Sequence, residues 1–302
     1  MSKPKILTVV GPTASGKSDL AVELALRFNG EVISADSRQV YKGLDIGSGK
    51  ITTEEMRGIP HHLLGVANPI SDTYTGADFL RDGRITLEGI LGREKLPIVA
   101  GGTFFWLELL RGRKAAAPVP PNLTLRAKLE ELTTEELFTK LQEKDVTRAN
   151  NVDKNNRRRL IRSLEIIETL GKIPEVTQYT ESPYDWIIIG IDIDKQTLEE
   201  RIKNRLEKRL GTGMVEEVKN LLEKGVSADK LISFGLEYRY ITEYLQDKIT
   251  YEEMREQIII KSRQFAKRQY TWLKADPDII WKKFPITVNE LEVEIKAFLY
   301  NN

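Results

Sequence analysis

Ile6-Leu7-Thr8-Val9-Val10-Gly11-Pro12-Thr13-Ala14-Ser15-Gly16-Lys17-Ser18 is the stretch whose reading decides the fold. Its apolar start is short, rich in β-branched side chains and stopped by Gly11, which predicts a strand buried in a parallel sheet. The residues from Gly11 to Ser18 match G-x-x-x-x-G-K-[ST]. Beyond them Leu20, Ala21, Leu24, Ala25 and Phe28 recur at helical spacing until Gly30. Strand, glycine-bounded loop and helix in that order predict a phosphate-binding loop. The glycines let backbone N–H groups turn inward, the helix N-terminus adds a favourable dipole, Lys17 adds a point charge, and the Ser18 hydroxyl can ligate Mg²⁺. The motif leaves open which phosphorylated ligand is bound.

Composition sets the frame around this loop. A chain of 302 residues has room for one sizeable core and a smaller inserted or appended unit. With 40% hydrophobic and 30% charged residues it has a globular rather than a disordered balance. No apolar run approaches the ~20 residues of a membrane span, and the apolar residues near the N-terminus are too few for a signal-peptide core. The absence of cysteine excludes disulfides, thiolate metal sites and cysteine nucleophiles, and suits a cytoplasmic protein. A formal net charge of +1 says little until its distribution is followed along the chain.

Strand signals recur at Glu31–Ala35, Leu96–Ala100 and Trp186–Ile191. With the first strand they predict an α/β fold, a parallel sheet flanked by helices of the phosphate-loop NTPase-like kind. Ala115-Ala116-Ala117-Pro118-Val119-Pro120-Pro121 reads as a stiff linker, and Thr133 with Glu136 forms a capping-box signature after it. Residues 112–183 are therefore expected to be an inserted helical domain. Residues 1–111 and 184–302 would form the core, with a helical C-terminal region broken by Gly211, Gly213, Gly225 and Gly235.

Ligands in open α/β sheets sit at the carboxyl ends of the strands. Asp36, directly after the second strand signal, is thus expected to face the same crevice as the loop. It could hold Mg²⁺, accept a proton from an attacking nucleophile, or be a solvated turn residue. Gly101-Gly102-Thr103 ends the next strand and offers close backbone approach and a hydroxyl. An acidic residue, which a nucleotide hydrolase would more often carry there, is missing. His61 and His62 are adjacent and so diverge; without cysteine they make a poor metal pair and read as structural.

Two basic clusters lie downstream. Asn155, Arg159 and Arg162 fall at i, i+4 and i+7 on a helix expected over 154–170, beside apolar Leu160, Leu164 and Ile167. Lys261, Gln264 and Arg268 share a stripe on a helix expected near 255–273, with Phe265, Tyr270 and Trp272 interleaved. Either could be a solvated face or a nucleic-acid contact. At least one of Phe265 and Trp272 is expected to face the core.

These segments together resemble the tRNA dimethylallyltransferases, also called isopentenyl-tRNA transferases. The resemblance rests on the loop Gly11–Ser18, the segment from Asp36-Ser37-Arg38-Gln39 to Gly47, Ile59–Leu63, Gly101–Thr103, Asn155–Glu165 and Phe265–Trp272, and so spans nearly the whole chain. It implies that Gly11, Thr13, Ala14, Ser15, Gly16, Lys17 and Ser18 hold the diphosphate of dimethylallyl diphosphate with Mg²⁺, for which Ser18 is the ligand. The acceptor would be the exocyclic amine of the adenosine 3′ of the anticodon in tRNAs reading codons that begin with U. Asp36 would take the proton from that amine, while Lys17 and Thr103 stabilise the leaving diphosphate. Asp36, Ser37, Arg38, Gln39, Thr103, Arg158, Arg159, Arg162, Gly235, Tyr238, Lys261 and Arg268 are implied tRNA contacts, with the inserted domain on the anticodon stem-loop. The enzyme would work as a monomer, away from membranes.

This chain departs from the family pattern at two places. Leu236-Glu237-Tyr238 stands where many members have glycine before the tyrosine, which puts an acid close to expected RNA phosphates. Ser48-Gly49-Lys50 follows Gly47 where Thr-Ala-Lys is usual, a change expected to be harmless. The alternatives are a phosphate-loop small-molecule kinase in which Asp36 activates a hydroxyl, a prenyltransferase acting on free adenine nucleotides, and a nucleic-acid-binding module with a vestigial nucleotide site.

Overall fold

The computed structural model describes residues 3–117, 119–173 and 182–300. They divide into two compact units, Met1–Gly112 with Glu181–Asn302, and Arg113–Thr180. In chain order the first unit opens with β1 (Lys5–Val10), α1 (Lys17–Phe28), β2 (Gly30–Ser34), β3 (His61–His62), α2 (Gly76–Gly92), β4 (Leu96–Gly101) and α3 (Phe104–Leu110). The second unit holds α4 (Leu123–Glu130), α5 (Thr134–Lys144), α6 (Val146–Asn151) and α7 (Arg157–Leu170). The first resumes with β5 (Asp185–Asp192), α8 (Lys195–Gly211), α9 (Met214–Glu223), α10 (Ala228–Phe234), α11 (Leu236–Leu245), α12 (Tyr251–Lys274), β6 (Ile279–Lys283) and α13 (Val288–Tyr300).

The expected α/β architecture is present. Six strands pair in the order β3-β2-β4-β1-β5-β6, every pairing parallel. Ile6, Leu7, Val9, Ile33, Ile98 and Ile189 are fully buried, as strands covered by helices on both faces require. Leu20, Ala21 and Leu24 of α1 and Leu291 and Ile295 of α13 pack on one of those faces. Two strands escaped the sequence signals: β3 is a pair of histidines, and β6 alternates into Trp281-Lys282-Lys283. Both histidines are structural in place, with His61 Nδ1 on the Ile59 carbonyl (2.9 Å) and His62 Nε2 on Glu31 (2.7 Å).

Strand order positions the site. Because β4 lies between β1 and β2, its end at Gly101-Gly102-Thr103 falls between the loop after β1 and the Asp36 turn after β2.

The second unit closes around Leu137, Leu141, Leu160, Leu164 and Ile167, and Thr133 with Glu136 forms the capping box at the start of α5. Helix α7 begins three residues later than expected, because the Asn156 side chain caps it by accepting from the Arg159 amide (3.2 Å). Asn155 therefore lies outside the helix and does not extend its polar stripe. Glu165, fully buried, gathers Arg126 (2.8 Å), the Asn122 amide (2.6 Å) and Arg162. Arg162 also donates to the Val119 carbonyl (2.8 Å), so its guanidinium ties α7 to the preceding segment. Arg162, expected as a phosphate contact, thus also has a role within the fold. Arg158 and Arg159 remain on the exposed face.

Burial alone would raise the Glu165 pKa, but the hydrogen bonds from Arg126, Asn122 and Arg162 outweigh it and hold the carboxyl below its ordinary value. A folded-state value below the unfolded one means this stabilisation is present above the unfolded pKa and fades as pH falls through the folded one. Hydrogen-exchange protection of α4 and α7 should therefore weaken below about pH 4. Glu165→Ala, which leaves two partly exposed guanidinium groups unpaired, should remove about 2 kcal/mol at neutral pH.

Candidate active site

The loop after β1 begins its turn at Ala14 (φ 65) and Gly16 (φ 94), and α1 starts at Lys17 without a side-chain cap. The amides of the first helical turn are consequently free to meet an anion. Three cations converge on the loop from its other side. Lys17 Nζ reaches the Pro12 carbonyl (3.4 Å), Arg201 Nε the Ala14 carbonyl (2.7 Å) and Arg205 Nη2 the Thr13 hydroxyl (2.6 Å). Burial pushes the Lys17 pKa down to about 8; Asp36 works against that, and Arg205 and Arg209 add to it. Arg205 is likewise lowered to about 10, first by burial and then by Arg209.

Arg201, Arg205 and Arg209 stand at i, i+4 and i+8 of α8 and are the functional residues the sequence reading missed. Their only signal is that four-residue period on a helix whose abundant charges otherwise read as a solvated face.

Asp36, Thr103 and the loop are joined by short links. The Ala35 amide donates to the Ala100 carbonyl (2.8 Å), the Thr103 amide to the Ala35 carbonyl (3.1 Å), and the Ser37 amide to Thr103 Oγ1 (3.0 Å). A Cβ at Gly101 would lie 2.8 Å from Ala35 Cα and nearer still to its carbonyl, so this approach requires glycine. Asp36 Oδ1 accepts from the amides of Arg38 (2.9 Å) and Gln39 (3.4 Å), which fixes the carboxylate as part of its own turn. Gln269 of α12 completes the arrangement: its amide accepts from Thr13 N (2.8 Å) and donates to the Gly102 carbonyl (2.9 Å).

A cleft of about 610 Å³ opens over this floor. Asp36, Ser37, Arg38, Thr103, Arg205 and Arg209 line it together with Gly235, Tyr238, Lys261, Gln264, Phe265 and Arg268. Arg268 lies 5.9 Å from the Phe265 ring centroid.

The family model described as IPP transferase matches residues 39–276. A tRNA dimethylallyltransferase of Oceanobacillus iheyensis is 38% identical over 300 residues, covering 97% of this chain and 95% of that protein. The chain belongs to the tRNA dimethylallyltransferase family. Its fold is that of solved relatives. The tRNA isopentenylpyrophosphate transferase of Bacillus halodurans superposes with TM-score 0.73 at 34% identity, covering 98% of this chain and 96% of that one. A eukaryotic dimethylallyltransferase, seen acting on tRNA in crystallographic snapshots, gives 0.81 at 26% identity, covering 97% of this chain and 78% of its own.

Several residues expected to touch ligands also make hydrogen bonds within the protein. Thr13 donates its amide to Gln269 and accepts from Arg205 at its hydroxyl oxygen, which shapes the loop and leaves the hydroxyl hydrogen available to a ligand. Gln39 spends its side chain on the Gly49 carbonyl (3.1 Å) and Ser34 Oγ (3.0 Å). Arg38 Nε donates to the Phe234 carbonyl at the end of α10 (2.6 Å). Tyr238 is 2% exposed, and its hydroxyl donates to Glu217 (2.8 Å) and accepts from Ser48 N (3.0 Å). Glu237 faces Arg209 (3.4 Å), which answers the concern about an acid among phosphates. Neither Phe265 nor Trp272 faces the core: Phe265 lines the cleft and Trp272 is 54% exposed. Tyr270 instead packs on Trp281, 5.3 Å between centroids, and bonds Asp192.

Gln269→Leu leaves a partly buried amide at Thr13 and a partly buried carbonyl at Gly102 unpaired, and should cost about 2 kcal/mol in a urea titration. Gln269→Glu, which can accept from Thr13 but not donate to Gly102, should fall between that variant and the parent.

Proposed function

We propose that this chain transfers a dimethylallyl group from dimethylallyl diphosphate to the exocyclic amine of the adenosine 3′ of the anticodon, in tRNAs reading codons that begin with U, and releases diphosphate. The observation that carries the reading is the junction of Asp36 and Thr103 with a cationic phosphate loop at the floor of one cleft, walled by Lys261, Phe265 and Arg268. A small-molecule kinase would have no use for such a wall, and family membership does not favour it.

The diphosphate sits on the amides of the first turn of α1 and is held by Lys17, with Arg205 beside it. The wholly buried Ser15 hydroxyl, without a partner among the described residues, supplies a further donor within the loop. Ser18, half-buried in that turn, suits Mg²⁺, which keeps most of its waters and needs few protein ligands beside a diphosphate. Among the described residues no cluster of three His, Asp or Glu offers an alternative metal site. Bound there, Mg²⁺ would neutralise charge on the leaving diphosphate.

The amine nitrogen attacks the carbon bearing the diphosphate; the C–N bond forms, the C–O bond breaks, and its electron pair departs with the diphosphate. The amine proton passes to Asp36. The Thr103 hydroxyl oxygen already accepts from Ser37 N, so its hydrogen is available to a leaving oxygen. Outside the cleft floor, Arg268 and Phe265 offer a guanidinium and a ring to splayed bases, and exposed Arg158 and Arg159 offer charge to the anticodon stem. Donor loop, Asp36 and cleft wall come from one chain, which suits a monomeric working unit. No helix among the described residues is long and apolar enough to cross a membrane.

The deciding experiment is incubation with labelled dimethylallyl diphosphate and either unmodified tRNA or AMP. Label should enter tRNA; label in AMP alone would redirect the reading to free nucleotides, and ATP-dependent phosphorylation of a small acceptor without prenyl transfer would overturn it. Asp36→Asn should lose about 10²–10⁴-fold in single-turnover rate while retaining both substrates; a near-normal rate would reduce Asp36 to an orienting residue.

Lys17 gives a pH signature. With its pKa lowered to about 8, the ammonium is present below that value and lost above it. Affinity for dimethylallyl diphosphate should weaken as pH rises through about 8 in the parent enzyme and stay low and flatter in Lys17→Ala.

A further inference from the structure

Arg209, in the last turn of α8, is not part of the donor cradle. Its Nη1 donates to the Gly47 carbonyl (3.3 Å) and to Glu237 (3.4 Å). The Arg209 side chain is 13% exposed and that of Glu237 11%, so the pair is built into the cleft wall. A guanidinium so placed needs its acceptors, because an unpaired one bears its desolvation cost uncompensated. The space it fills was left by a missing side chain. Gly49 has φ +65, and a Cβ there would lie 2.7 Å from Arg209 Cζ and nearer still to Nη2.

The loop that Arg209 presses on is the one behind Asp36. Gln39 Nε2 donates to the Gly49 carbonyl, and the Gln39 amide donates to Asp36 Oδ1. A continuous path therefore runs from Glu237 through Arg209 to Gly47, and from Gly49 through Gln39 to the Asp36 carboxylate. On the amide side the loop is already held: Glu217 accepts from Asp45 N (3.0 Å), Ile46 N (2.5 Å) and Gly47 N (3.0 Å). Arg209 and Gln39 supply the matching restraint on its carbonyls.

We propose that Arg209 is a positioning residue for the transfer reaction: seated in the space left by Gly49 and held by Glu237, it locks the 45–50 loop so that Gln39 keeps Asp36 aimed at the acceptor amine. The proposal rests on the transferase reading of the cleft. Arg209 acts through Gly47, Gly49 and Gln39, and Glu237 serves as its counter-charge.

The test is a double-mutant cycle at Gly49 and Arg209, read as single-turnover rate, as KM for tRNA and for dimethylallyl diphosphate, and as Tm. Arg209→Ala should lower the rate about tenfold to a hundredfold with both KM values nearly unchanged, as for a base held out of line. Arg209→Lys, keeping one donor for Gly47, should recover part of the loss. Gly49→Ala displaces the guanidinium and should reproduce most of the Arg209→Ala loss. In the Arg209→Ala background the same change should cost less than about twofold, since nothing remains to be displaced. Backbone strain from the positive φ is common to both arms and cancels. Equal losses from Gly49→Ala in both backgrounds would overturn the lock. A raised tRNA KM at unchanged rate in Arg209→Ala would overturn it too, making Arg209 a phosphate contact. A parent enzyme that transfers no prenyl group would defeat the transferase reading instead, and additivity in Tm would then reject the lock on its own.

Discussion

Two backbone hydrogen bonds, from the Ala35 amide to the Ala100 carbonyl and from the Thr103 amide to the Ala35 carbonyl, hold the site together. They extend the β2–β4 ladder past the last regular pair, so that the Asp36 turn and the Thr103 turn leave the sheet as one body. The contact is close enough to forbid a side chain at Gly101. Since β4 also pairs with β1 through Val10–Gly101, the phosphate loop departs from the adjacent strand end. The Asp36 carboxylate, the Thr103 hydroxyl and the phosphate loop thus share one edge without any of them being near in sequence. Were β4 elsewhere in the sheet, the same residues would be separated by at least one strand spacing, about 5 Å.

The electrostatics of the cradle follow from what its cations touch. Pro12 and Ala14 offer carbonyls and Thr13 a hydroxyl, all neutral acceptors. They satisfy the hydrogen-bonding needs of Lys17, Arg201 and Arg205 without cancelling their charge. Burial then disfavours the charged forms, which is why Lys17 falls to about 8 and Arg205 to about 10. On the proposed reading, an entering diphosphate would relieve that penalty by adding counter-charge to the little that Asp36 supplies. By contrast, Glu165 in the helical unit and Glu237 in the cleft wall face arginines directly, and those arginines are committed to structure.

What was legible in the sequence was local. The strand–loop–helix at β1 and α1 declares itself within one window, and Asp36 and Thr103 follow strand signals by one to three residues. The strand β3 was illegible because it carries no apolar run, and β6 because its run, Ile279-Ile280-Trp281, is only three residues long; their pairing is imposed by neighbours already in the sheet. The hydrogen bonds that Thr13, Gln39 and Tyr238 make within the fold were illegible for a related reason. Each has the chemistry to meet a ligand, yet the partners that engage it come largely from segments remote in the chain, such as Gln269 and Arg205 for Thr13 and Ser48 for Tyr238. Periodicity reports which face a residue occupies, not which distant group has taken its hydrogen bond. The two departures from the family pattern show the same limit: Gly49 and Glu237 look unrelated in sequence, and only Arg209, packed against both, makes them one feature.

Helix α12 gives the cradle and the cleft wall a common frame. Lys261, Gln264, Phe265 and Arg268 line the cleft, while Gln269, one residue further on, turns inward to bridge Thr13 and Gly102. From Lys261 to Gln269 the helix advances only about 12 Å, and it is anchored between them by buried Ser262 and Ala266. A helical segment this short and this well packed moves as a rigid rod rather than bending between two adjacent side chains. Any shift of its cleft face is therefore transmitted to the Gln269 amide, which has no slack: lengthening either of its hydrogen bonds by half an ångström would exceed a good bond to Thr13 or to Gly102. The phosphate loop, the end of β4 and the cleft-lining face of α12 are thus bridged by a single side chain, in addition to the sheet that already joins β1 and β4.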